Sequence, residues 1–124
     1  METVIDLDIL RPPKKIIRLN KQEIDVSFIP AGITFDLDEI VQKMAKLDMD
    51  KVGEGGKEAK KAFDLGVALC SVFCTIHDPE MTAEWFQQNV DPTQIKVMSD
   101  TIKESLAKIY SDMGEYSKNV EAGQ

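Results

Sequence analysis

From Leu65 to Ile76 the chain runs for twelve residues without a charged side chain. The preceding turns, from about Lys57, are amphipathic: charges at Lys57, Glu58, Lys60, Lys61 and Asp64 alternate with Ala59, Ala62 and Phe63. That pattern predicts one long helix from about Lys57 to Ile76 whose second half is apolar on nearly every side. Such a helix must be surrounded by other protein. It cannot cross a membrane, which takes about 20 apolar residues. Gly66 lies inside it and costs about 1 kcal/mol relative to Ala there, so another segment is expected to approach closely at that point. A chain of 124 residues supplies one domain, and folding removes about two thirds of its surface from water. Aromatic residues are only 6% of the chain, so Ile, Val, Leu and Met must build most of the core.

The first third reads as strands. Val4, Ile5, Leu7 and Ile9 form a short β-prone segment closed by Arg11-Pro12-Pro13. Residues 15–19 and 24–29 then flank the polar loop Asn20-Lys21-Gln22-Glu23, and Ile24, Val26 and Phe28 alternate with Asp25 and Ser27. A hairpin follows from that alternation, with Pro30-Ala31-Gly32 ending it. The remainder reads as helices. Asp36-Leu37-Asp38-Glu39 has the form of a capping box ahead of Ile40, Val41, Met44 and Leu47. Asp48 to Gly56, with its four glycine-rich residues at 53–56, reads as a flexible link. Asp78-Pro79 and Asp91-Pro92 each place an acid before a proline, the arrangement of a helix start. The first of these helices runs to about Asn89. The second carries Ile95, Met98, Ile102, Leu106, Ile109 and Met113 on one face and ends at Gly114. The expected architecture is α+β: about four helices with a small N-terminal antiparallel hairpin. Residues 1–114 form one domain (1–30 the β element, 36–114 the helical body), and 115–124 a flexible polar tail.

Net charge is −7, from 22 acidic and 15 basic residues. This balance disfavours nucleic acid and anionic membranes, which need clustered Lys and Arg. It suits solubility or a basic protein partner. Arg11, Lys14, Lys15 and Arg18 are the one basic cluster, split by two prolines. The first apolar residues are interrupted by Glu2, Asp6 and Asp8, so no secretory signal is expected. Two cysteines inside an apolar helix fit a reducing compartment.

No constellation points to catalysis. Cys70, Cys74 and His77 share one helix face and could begin a zinc site, but His77 is the single histidine and no third cysteine exists. A buried thiol pair is the expectation, with no metal or other cofactor. The pairs Asp6/Asp8, Asp36/Asp38 and Asp48/Asp50 are explained by capping and polar turns. Gly53-Glu54-Gly55-Gly56-Lys57 lacks the pattern of a phosphate loop. The candidates for a protein-interaction surface are Trp85 and Phe86, as aromatic anchors, with Met81 and Met98 as adaptable apolar neighbours. Filling the groove between the last two helices is the competing role for Trp85 and Phe86. These residues, the many Met and the apolar helix together lead to an expectation of self-association.

The opening block Ile5-Asp6-Leu7-Asp8-Ile9-Leu10-Arg11-Pro12-Pro13-Lys14-Lys15, followed by residues 16–30 (Ile-Ile-Arg-Leu-Asn-Lys-Gln-Glu-Ile-Asp-Val-Ser-Phe-Ile-Pro), resembles the start of tail assembly chaperones from long-tailed phages and prophages of Gram-positive bacteria. The wording covers residues 5–30, and the layout (small β element, helical body, polar end) covers most of the chain. The resemblance implies a non-enzymatic protein of the host bacterial cytoplasm. It would coat the tape-measure protein and help recruit tail-tube subunits. A structural tail or connector subunit, or a small adaptor, is the alternative. The family's chaperones are often made in two lengths by ribosomal slippage, and Ser117-Lys118-Asn119 could be encoded by a slippery adenine run.

Overall fold

A computed structural model of the chain describes the backbone of residues 2–122 and the side chains of residues 2–115. After a 3₁₀ turn at Leu7–Leu10 come β1 (Ile16–Leu19), β2 (Gln22–Asp25), α1 (Ala31–Met44), α2 (Met49–Gly53), α3 (Gly56–Cys74), α4 (Ala83–Asn89) and α5 (Pro92–Ala122). The fold is mainly helical with a two-stranded antiparallel sheet, as the sequence pattern predicts.

The central element is α3. Val67, Leu69, Cys70, Phe73 and Cys74 are all buried, and α1, α2, α4 and α5 pack around the helix. Gly66 marks the crossing with α5. A Cβ placed there would lie 2.7 Å from Ile95 Cγ2 and 3.1 Å from Ser99 Oγ. The close approach expected at this glycine therefore comes from α5. Ser99 Oγ donates to the Gly66 carbonyl at 3.4 Å and lies 3.6 Å from Cys70 Sγ, so one hydroxyl serves two polar atoms of α3 inside the core.

The hairpin is tighter than the four-residue loop the sequence suggests. Leu19 pairs with Gln22, and Asn20 and Lys21 alone make the turn, with φ of 50° and 67°. Positive φ at both central residues gives the turn the twist that matches paired strands. The strand stops at Asp25 because its carboxylate turns back on the chain, accepting from Ser27 N at 2.9 Å and Ser27 Oγ at 2.6 Å. Leu19, Ile24, Val26 and Ile29 nonetheless join the same buried cluster as the helices. Ser105 Oγ donates to the Val26 carbonyl at 2.7 Å, and Lys15 pairs with Glu104 at 3.2 Å, so α5 clasps the hairpin.

Several element boundaries differ from expectation. Residues 4–10 form no strand: Leu7–Leu10 make a 3₁₀ turn, begun by the Asp6 carboxylate accepting from Asp8 N at 3.0 Å. α1 begins at Ala31, and its first residue follows Pro30 with no side-chain cap. Pro and Gly are tolerated at a helix start, where the first N–H groups have no intrahelical partner anyway. Asp36 and Asp38 thus lie within the helix and do not cap it. The glycine-rich link contains a helical turn, α2, capped by Asp48 through Asp50 N and Lys51 N. Gly55 and Gly56, at φ 81° and 73°, make the left-handed turn into α3. That raises the count to five helices among the described residues. Asp78 caps only a turn, accepting from Glu80 N, and α4 starts after Thr82, whose hydroxyl accepts from Trp85 N at 3.3 Å. At α5 the expectation holds: Asp91 Oδ1 accepts from Gln94 N, and Gln94 Oε1 accepts from Asp91 N, both at 2.9 Å. This is a reciprocal capping box. The helix continues through Gly114, which weakens a helix without stopping it when neither a left-handed residue nor a proline follows. Met1, Gly123 and Gln124 lie outside the described residues, as do the side chains of Ser117, Lys118 and Asn119.

Candidate protein-interaction site

The aromatic and methionine residues singled out from the sequence do come together, but inside the protein. Phe86, Met81 and Met98 are buried in the common core, and Trp85 is half-buried with its ring edge-on to Phe86 at a centroid distance of 5.0 Å. The Thr82 cap starts α4 late and turns the Phe86 face inward. Three of the four candidates therefore stabilise the fold in this conformation and cannot present a contact surface.

Two other regions leave apolar surface open. The first is a groove of about 250 Å³ where α2 and the first half of α3 meet the start of α5. Met44, Leu47, Met49, Val52, Phe63 and Ile95 line it. Its existence follows from the local chain. The α1–α2 connection leaves Leu47 and Met49 beside the amphipathic half of α3, and α2 is too short to cover that face. Lys96, Asp100 and Lys103 form a charged rim. Asp100 accepts from Lys96 at 2.6 Å and Lys103 at 3.2 Å. Partial burial pushes the Asp100 carboxyl up, but the hydrogen bonds and charges of the two lysines outweigh it and hold the pKa below the ordinary value. The Asp100 carboxyl is therefore ionised at neutral pH. The groove is smaller than the roughly 300–1,000 Å³ of small-molecule sites. It suits one or two apolar side chains, as when a helix lays anchors at i and i+3 or i+4 into a partner. Methionines at its edge can repack around different anchors.

The second region is the N-terminal arm. Val4, Ile5, Leu7, Ile9 and Leu10 are between 64% and 78% exposed, so the segment contributes almost nothing to the core. Below it, a shallow groove runs past Phe28, Phe35, Ile109 and Met113. Arg11 closes the arm by stacking its guanidinium 4.1 Å above the Phe28 ring. Nothing in the sequence signalled this exposure: Val4, Ile5 and Ile9 favour strands, and packing alone leaves them uncovered.

Cys70 and Cys74 are free and buried. Burial pushes the Cys70 thiol up to about 11, partly offset by the Ser99 hydroxyl. Burial, then the neighbouring Cys70 and Asp78, push Cys74 to about 12. Both are thiols, not thiolates, at neutral pH. His77 is exposed on the turn after α3 and packs against Phe73, ring centroids 5.8 Å apart. Among the described residues no group of three or more His, Cys, Asp or Glu is placed to hold a metal ion, and no helix is long and apolar enough to cross a membrane. No known protein family, curated protein or solved structure matches the chain.

Proposed function

We propose that this protein is a non-enzymatic tail assembly chaperone of a long-tailed phage, acting in the host bacterial cytoplasm. In this role it binds the tape-measure protein and helps recruit tail-tube subunits. The observation that carries the reading is the open groove lined by Met44, Leu47, Met49 and Val52 with its ion-paired Lys96–Asp100–Lys103 rim. A tape measure is a long helix with an apolar stripe, insoluble until covered. A groove that takes one or two anchors at a time binds each stretch of such a helix weakly. Many copies acting together hold it in solution, and tube subunits can displace them one by one. The resemblance of residues 5–30 to that family supports the same reading.

The test is co-expression with a candidate tape-measure protein, the long helical product of a gene found next to its own. The wild-type chain is expected to keep the tape measure soluble and to co-purify with it. Met49→Glu with Val52→Glu, at groove positions outside the core, should abolish both effects while leaving the helical circular-dichroism signal unchanged. An insoluble tape measure in the presence of wild-type protein would refute the proposal. Recovery of the chain from purified virions would instead make it a structural tail or connector subunit.

A further inference from the structure

The arm and the groove beneath it lie on one face of the same molecule, and what the arm lacks the groove's edge supplies. Residues 2–10 carry Glu2, Asp6 and Asp8 and no base. Among the described residues none of the three acids pairs with a cation within 4 Å, and Arg11 and Lys14, just beyond, pair with no carboxylate at that distance, although the Lys14 charge acts on Asp25. The segment from 2 to 14 thus runs from an acidic end to a basic end, with five exposed apolar side chains along it. Within one chain its two ends do not meet. Two such segments laid antiparallel bring each acidic end to the other's basic end. This is the self-complementary arrangement a two-fold interface requires.

The available area points the same way. Phe35 at 71% and Met113 at 58% exposure extend the apolar surface from the arm onto the body. Taking about 150–200 Å² for a large apolar residue, the exposed fractions of Phe35, Met113 and the five arm residues amount to roughly 800 Å², about what each partner contributes to a standard stable interface. We infer that two copies of this chain pair through this face, each laying its arm antiparallel to the other's and against the other's Phe28–Phe35–Met113 groove. The surface is distinct from the groove between α2, α3 and α5, so the inference does not rest on the chaperone reading.

Sedimentation velocity of the full chain over a wide concentration range tests it. Wild-type protein is expected to sediment as a dimer at micromolar concentration. Ile5→Asp with Ile9→Asp, both at exposed positions, should raise the dissociation constant at least about tenfold with no change in helical signal. Glu2→Lys or Lys14→Glu alone should weaken pairing, and the two together should restore it, because position 2 of one copy faces position 14 of the other and each copy then carries the reversed charge pair. A wild-type chain that stays monomeric at the highest concentration overturns the inference, as does a dimer unaffected by the arm substitutions. A monomer whose arm variants lose the tape measure also overturns it and assigns the arm to that partner.

Discussion

Replacing Gly66 by Ala sets two effects of known sign against each other. Alanine gains about 1 kcal/mol over glycine in a helix interior. Its Cβ, however, would lie 2.7 Å from Ile95 Cγ2 and 3.1 Å from Ser99 Oγ, whereas carbon atoms rest at about 3.5–4.0 Å. The first deficit, close to 1 Å, cannot be met by a free side chain, because Ile95 is itself buried and packed on α3. Either α3 and α5 separate, which weakens the Ser99 hydrogen bond to Gly66, or Ile95 leaves its rotamer. Overpacking of this kind costs about 1–3 kcal/mol, so the net effect is destabilisation by up to about 2 kcal/mol. The control is Gly114→Ala on α5, where a Cβ meets nothing within 4 Å and only the gain of about 0.5–1 kcal/mol remains. Thermal unfolding should separate the two variants, with Gly66→Ala below wild type and Gly114→Ala above it. In an Ile95→Ala background the penalty at position 66 should shrink by about 1 kcal/mol, a coupling within the range for contacting residues. The reasoning fails if Gly66→Ala melts as high as Gly114→Ala, or if its penalty is the same with and without Ile95.

Phe73→Ala removes a fully buried ring from the centre of α3 and should cost about 3–5 kcal/mol in urea unfolding; a melt like wild type would make α3 peripheral. Lys21→Gly should stabilise the hairpin by about 0.5–1 kcal/mol, since Lys21 sits at φ 67° where only glycine is unstrained; a loss of stability would contradict the turn geometry. Cys70 and Cys74 should react negligibly with a thiol reagent at pH 8 until denaturant is added, and fast reaction of either in the native protein would contradict their burial. The unfolded thiols ionise near pH 9 while the folded ones hold their protons to about 11 and 12. Stability should therefore be fully present below pH 9 and decline as pH rises through that window, as measured by unfolding midpoints.

What could be read from the sequence was what neighbouring residues decide among themselves. The α5 start was legible because Asp91, Pro92 and Gln94 supply the acid, the fixed φ and the reciprocal partner within four residues. Asp78-Pro79 has the same first two letters without the third, and there the start moved to Thr82, where burial of Met81 and Phe86 could be satisfied. Pro30-Ala31-Gly32 read as a breaker because propensity cannot distinguish a helix's first turn from its end. The central helix, set by a dozen uncharged residues, was unambiguous. The groove was not, because it joins Met44–Val52, Phe63 and Ile95 from four elements, and packing alone decides which apolar residues stay uncovered. The same holds for Trp85 and Phe86, whose side of α4 was fixed by the cap.

The clasp between the hairpin and α5 has a consequence for the order of events at the ribosome. The Val26 carbonyl is joined to Ser105, 79 residues later, and Lys15 to Glu104, 89 residues later. At synthesis rates of about 5–20 residues per second, the hairpin waits roughly 4–16 seconds for its partner helix to be made. Throughout that interval Leu19, Ile24, Val26 and Ile29 have no α5 to pack against. The nascent chain passes through a period in which its earliest apolar residues are its most vulnerable, and closure comes only when its last helix arrives.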